Sequence, residues 1–145
     1  MLKLLSNKEK KLLLKQLQEQ FNFTGNLDYN FFINQDKKIF LFNKDLDIDF
    51  SKIRVNSLGL YFANIEKELR LSIEGSQIIG PSSRKSVLDV NDEQLSDWMH
   101  GKDIETDKEF EGFVLIKNNN DFYGTGKYKE GRILNYVPKE RRLKN

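Results

Sequence analysis

The chain has no cysteine, a single histidine, a single tryptophan and only two prolines in 145 residues. Without cysteine there is no disulfide, no thiolate nucleophile and no thiolate-held metal. His100 alone cannot build a multi-histidine metal centre, so neither a metal nor a cofactor is expected. Long apolar runs are missing too. The opening Met1-Leu2-Lys3-Leu4-Leu5 soon meets Asn7-Lys8-Glu9-Lys10-Lys11, which is too short and too quickly charged for a secretory core or a membrane span. The expectation is a soluble, cytoplasmic protein without a membrane partner. Aromatics, by contrast, are plentiful: 11 Phe and 5 Tyr within 38% hydrophobic content argue for a folded chain despite a mean hydropathy of -0.63. A chain of this length buries one ordinary core, or two small ones sharing an interface.

Net charge is small in total and uneven in place. The net charge is +2, yet residues 84–116 hold 4 cations against 9 anions, and residues 117–145 hold 8 against 3. A polyanion would therefore be drawn to one face only.

The catalytic constellations fail one by one. Gly124-Thr125-Gly126-Lys127-Tyr128 lacks the spacing of a phosphate loop, because Asp121 stands where its first glycine belongs and Tyr128 follows the lysine. A strand bending sharply at these glycines is the plainer reading. His100 adjoins Gly101 at a helix end, where an imidazole satisfies terminal carbonyls and is a poor base for a serine. Pairs such as Glu66 and Glu68 or Asp47 and Asp49 lie in charged turns, with nothing to raise one pKa. No catalytic residue is assigned.

The local patterns are clearer. Ser6-Asn7-Lys8-Glu9 is a capping box, and Leu13, Leu14, Leu17 and Phe21 form the apolar stripe of the helix it starts. Residues 29–34 and 38–43 form a hairpin around Gln35-Asp36-Lys37. Asp45 to Phe50 reads as a turn or short helix, with calcium binding a weak second reading. Residues 55–63 and 70–73 pair as strands, Gly59 marking a bulge or a close backbone approach. Gly75 to Gly80 with Pro81 collects breakers and predicts a boundary near residue 82, giving domains 1–82 and 83–145. Beyond it come a strand at 86–90, a helix capped by Asn91 or Asp92 and stopped by Gly101, a buried strand at 112–117, and strands at 122–129 and 132–137 that Pro138 ends. Trp98 is expected in the core. Short strands at close intervals with one helix describe a small, partly closed barrel.

What remains is a basic C-terminal region with interleaved aromatics: Lys117, Phe122, Tyr123, Lys127, Tyr128, Lys129, Arg132, Tyr136, Lys139, Arg141 and Arg142. Such cations neutralise phosphates, and tyrosines or guanidinium planes stack on unpaired bases. The alternation places Tyr128 opposite Lys127 and Lys129, on the buried side of its strand.

Several stretches then resemble one family. Ser57 to Phe62, Leu71 to Gly75, Gly101 to Ile104, Glu111 to Lys117, Phe122 to Lys127, and above all Gly124-x-Gly-Lys127 and Asn135-x-x-Pro138-Lys139-x-Arg141-Arg142, resemble archaeal PUA-domain proteins. These are related to the C-terminal extension of the NOL/NOP/Sun (Fmu) RNA methyltransferases, and more distantly to nucleolar PUA proteins of large-subunit ribosome biogenesis. The resemblance implies an α+β fold: an N-terminal α/β pre-PUA domain, then a PUA-like β pseudo-barrel with a short helix. It implies RNA lying along that helix, the loop carrying Lys102, and the last strand. The acidic run Asp103, Glu105, Asp107, Glu109 and Glu111 departs from that picture and moves the expected contact toward the C-terminal strand and tail.

The expected function is non-catalytic RNA binding in rRNA or tRNA maturation or ribosome biogenesis, through Lys102, Lys117, Lys127, Lys129, Arg132, Tyr136, Lys139, Arg141 and Arg142. The alternative is an adaptor, docking an RNA-modifying enzyme or a pre-ribosomal particle through the helix at 9–21 or the acids at 103–111. Whether Lys139, Arg141 and Arg142 grip phosphates or pin the terminus stays open at this level.

Overall fold

In the computed structural model, which describes residues 2–44 and 59–144, the capping box forms as its sequence dictates. The Ser6 hydroxyl accepts from the Glu9 N–H at 3.2 Å, and the Glu9 carboxylate accepts from the Ser6 N–H at 2.9 Å. Helix α1 (Asn7–Phe21) follows and ends at Asn22, whose left-handed backbone (φ 50°) sends its N–H back to the Gln18 carbonyl. Leu13, Leu17 and Phe21 are buried, Leu17 and Phe21 completely, each contributing about 2 kcal/mol.

That stripe packs on a sheet of five antiparallel strands in sequence order: β1 (Lys3–Leu4), β2 (Tyr29–Ile33), β3 (Lys38–Asn43), β4 (Leu60–Asn64) and β5 (Arg70–Leu71). The hairpin β2–β3 is the expected one. Gly59 lies where an added Cβ would fall 2.6 Å from the Phe42 ring, so its close approach is to a side chain. The turn or helix expected at 45–50, with its calcium reading, and the first half of the 55–63 strand fall outside the described residues.

Two expectations near the middle of the chain need correction. Strand β5 stops at Leu71, and the breaker-rich Gly75 to Gly80 stretch is helix: α2 (Ile73–Ile79) followed by one 3-10 turn, Gly80–Ser82. Ser72 is the reason, because its hydroxyl accepts from the Gly75 N–H at 2.9 Å and caps the helix. Gly75 sits inside the helix because a Cβ there would collide with the Phe62 carbonyl.

The second sheet has the order β6 (Val87–Asp89), β8 (Phe113–Asn118), β9 (Asp121–Lys129), β10 (Arg132–Leu134), β7 (Ile104–Glu105), with β6 parallel to β8 and the rest antiparallel. The short helix α3 (Asp92–Met99) covers it and ends at His100 and Gly101 (φ +91°), as expected. Strand β7 was not foreseen, since the acids around it mask a two-residue pairing in which Ile104 is the buried member. The last strand stops at Leu134 and not at Pro138. Asn135 leaves the ladder because its N–H donates to the Asp103 carboxylate at 2.8 Å instead. Pro138 starts a 3-10 turn, Lys139–Arg141.

The result is the mixed α+β fold anticipated, and its two sheets share side chains. Along β8, Val114 and Ile116 join Trp98 in the second core while Leu115 joins Phe122, Leu17 and Phe62 in the first. Buried hydrogen bonds cross the same join, from the Gly124 N–H to Ser76 Oγ at 2.8 Å and from Thr125 Oγ1 to the Leu71 carbonyl at 3.0 Å. No helix among the described residues is long and apolar enough to cross a membrane.

Candidate nucleic-acid interface

Trp98 fixes the geometry of the second sheet. It is fully buried, and its indole N–H donates to the Tyr123 carbonyl at 2.8 Å. Gly126 presents only a hydrogen to the Trp98 ring and the Leu134 carbonyl; a Cβ there would overlap both. Gly124 takes φ +90° to let β9 bend beside Ile73. The Gly-x-Gly-Lys motif is thus a packing device for the tryptophan. Tyr128 is half-buried against Phe110, ring to ring at 6.0 Å, in keeping with its expected inward face.

Asn135 organises the end of the chain. Its amide nitrogen donates to the Trp98 and Lys102 carbonyls, both at 2.8 Å, and its oxygen accepts from the Val137 N–H at 2.9 Å. The helix end, the following loop and the tail are therefore held by one side chain. The tail continues to be tied down: Arg142 Nε donates to the Val137 carbonyl at 3.0 Å with its side chain over Gly101, and the Leu143 N–H donates to the Met99 carbonyl at 2.8 Å. His100 Nδ1 lies 2.6 Å from the Ser96 carbonyl.

The nine expected RNA-contacting residues do not form one patch. Lys102 pairs with Asp97 at 3.6 Å, Arg132 with Asp103 at 3.8 Å, and Lys127 with Glu68 at 2.5 Å. Arg141 forms a two-pronged pair with Glu74 of α2, at 3.2 and 2.8 Å. Lys117 lies over the buried Phe122 ring on a different side, near Arg84. Lys129 and Lys139 are exposed and make no ion pair among the described residues. Tyr136 is 37% exposed, its ring edge-on to Phe113 at 5.1 Å.

Tyr136 and Arg141 instead help line a cleft of about 390 Å³ between the two sheets, together with Lys38, Tyr61, Arg70 and Glu74. The Arg70 guanidinium lies 5.1 Å from the Tyr136 ring centre, and Lys38 Nζ lies 5.5 Å from that of Tyr61. Burial raises the Tyr61 hydroxyl above its ordinary pKa, with Arg70 opposing the shift. Sequence reading missed Lys38, Tyr61 and Arg70, which open or occupy strands of the other sheet. Their only local signal was a cation placed beside β-forming residues.

The Arg141 hydrogen bonds hold Glu74 below its ordinary value of 4.5, and the same pair raises Arg141. Because the folded carboxylate has the lower pKa, the pair stabilises fully above pH 4.5 and loses its effect as pH falls through the folded value. Glu74→Gln is expected to remove about 1 kcal/mol at neutral pH, with the difference from the parent shrinking in acid. Urea unfolding across that range checks it.

Residues 85–143 match the family model described as "Methyltransferase RsmF PUA domain". This part of the chain, under half of its length, is similar to that PUA domain. The match spans β6 to the tail, including the Trp98–Gly126 and Asn135 arrangements. Relatives include proteins named "Ribosomal RNA small subunit methyltransferase F" from Vibrio vulnificus strain YJ016 (24% identical over 136 residues), Aliivibrio fischeri strain ES114 (25% over 136) and Vibrio cholerae strain M66-2 (25% over 108). They cover 93%, 93% and 73% of this chain, which in turn spans 29%, 28% and 23% of theirs, under a third of each. These findings support a PUA domain related to the NOL/NOP/Sun family; the relatives are bacterial, and an archaeal setting is implied by the resemblance alone.

Proposed function

We propose that the protein is a non-catalytic RNA-binding module serving rRNA modification, with residues 1–82 as a pre-PUA-like domain and 83–145 as the PUA-like RNA-binding domain. The observation that carries this reading is the match of residues 85–143 to a methyltransferase PUA domain. The missing cysteine nucleophile and glycine-rich cofactor loop support the non-catalytic part. Participation in tRNA maturation or ribosome biogenesis and a cytoplasmic setting belong to the same proposal. RNA contact is assigned to the basic C-terminal side. Lys129 and Lys139 meet phosphate directly, Lys102, Lys127, Arg132 and Arg141 exchange a carboxylate for a phosphate, and Tyr136 and Arg142 border the path, with Lys117 apart from it on another side.

The test is a salt titration with single-stranded and hairpin RNA. If about five phosphates are engaged on a single strand, the slope of log affinity against log salt is about -3.5, at roughly 0.7 per phosphate. No binding to either RNA at low salt contradicts the reading.

The adaptor reading keeps one of its two docking elements. The α1 stripe is spent on the protein's own core. Glu109 and Glu111 of the acidic stretch, however, line a groove of about 1090 Å³ with Glu19, Glu68, Glu130, Phe110 and Tyr128, a surface suited to a basic partner enzyme or ribosomal particle. A heterocomplex that survives nuclease and high salt would favour it.

A further inference from the structure

We propose that the cleft between the two sheets binds a nucleotide of single-stranded RNA, with Tyr136 and Tyr61 offering stacking surfaces and Arg70 and Lys38 meeting its phosphates. This rests on the RNA-binding reading above and adds a second place of contact, which meets the C-terminal side at Tyr136. The cations differ in how they are held. Lys102, Lys127, Arg132 and Arg141 already face carboxylates, so each must give up an ion pair before it can take a phosphate. Arg70 and Lys38 are oriented by aromatic rings instead, and neither makes an ion pair among the described residues. A ring orients a cation without neutralising it. Their charge stays available.

Shape agrees with charge. The cleft, at about 390 Å³, falls in the range of small-ligand sites. Tyr136 is exposed and backed by buried Phe113, so its ring is a supported platform, whereas the Phe122 ring under Lys117 is buried and offers no face to a base. Unpaired bases stack on tyrosine rings and on guanidinium planes alike, and Arg70 on Tyr136 supplies both at one point. Arg70 and Tyr136 also line a second hollow of about 380 Å³, in which Lys127 is paired with Glu68 and Lys67 lies with Glu66. A strand crossing this pair of residues has room on both sides of it.

The experiment measures binding of a short, unstructured, fluorophore-labelled RNA to the full chain and its variants, with thermal unfolding of each as a control. Arg70→Gln and Lys38→Gln are expected to weaken binding severalfold and Tyr136→Leu about tenfold, while Tyr136→Phe, which keeps the ring, binds like the parent. If Tyr136→Leu fails to fold, Arg70→Gln and Lys38→Gln decide alone. A parent that binds neither single-stranded nor hairpin RNA defeats the RNA reading itself. Undiminished binding by Arg70→Gln and Lys38→Gln, with a loss on Lys139→Gln or Arg142→Gln, overturns only the cleft. Competition by polyglutamate as strong as by RNA also overturns it, since an acidic polypeptide would then be the better occupant.

Discussion

Trp98→Ala is expected to lower the unfolding free energy by about 3–5 kcal/mol, a large part of the roughly 5–15 kcal/mol such a domain possesses. The ring is fully buried among Leu88, Val90, Ile104, Val114, Ile116, Ile133 and Val137. Its loss opens a cavity on the side of β9 that Gly126 cannot refill, because that residue has no side chain to extend. The Tyr123 carbonyl would also lose its 2.8 Å partner, a further cost of about 1 kcal/mol. Trp98→Phe keeps most of the bulk and separates the two effects, at about 1–2 kcal/mol. Circular dichroism in urea is the right readout, since Trp98 is the only tryptophan and its fluorescence leaves with it. A loss well below 1 kcal/mol would mean the ring does not anchor this core.

Asn135→Ala is the second large effect, at about 2–3 kcal/mol. Three side-chain hydrogen bonds disappear, each with a net worth of about 1 kcal/mol, and the Trp98 and Lys102 carbonyls and the Val137 N–H lose their partner. The loss should be local as well as global: amide exchange at 137–143 accelerates more than in the strands of the first sheet. Asn135→Asp is predicted to be worse than alanine, because it places a carboxylate against two carbonyl oxygens. Equal exchange rates in tail and sheet would show that the tail is held elsewhere.

These two residues also show how much the sequence disclosed. The capping box, the β2–β3 hairpin, the α3 cap and the buried β8 were legible because each is encoded within a few residues. Trp98 was placed in the core correctly. The reason for Gly126, though, lies 28 positions away in the chain at that ring, and no local pattern carries it. Helix α2 was hidden for the opposite reason: its glycine looks like a breaker until the Phe62 carbonyl is seen beside it. Asn135 stood inside a recognised motif, but its partners at 98, 102, 103 and 137 come together only through the fold.

The basic C-terminal segment was legible as charge and not as availability. Counting found Arg141 and Arg132; it could not show Glu74 facing one and Asp103 the other. Conversely, Arg70 and Lys38 lie in the other half of the sequence, and only the packing of β3 and β5 beside Tyr61 and Tyr136 makes them candidates.

Where RNA phosphates are met is tested most directly by the salt dependence of RNA affinity, measured side by side for the parent, Arg70→Gln and Lys139→Gln. The prediction is a slope shallower by about 0.7 for Arg70→Gln and likewise for Lys139→Gln, each the loss of one phosphate contact. An unchanged slope for Arg70→Gln beside a shallower one for Lys139→Gln would contradict the cleft and return the contact to the tail.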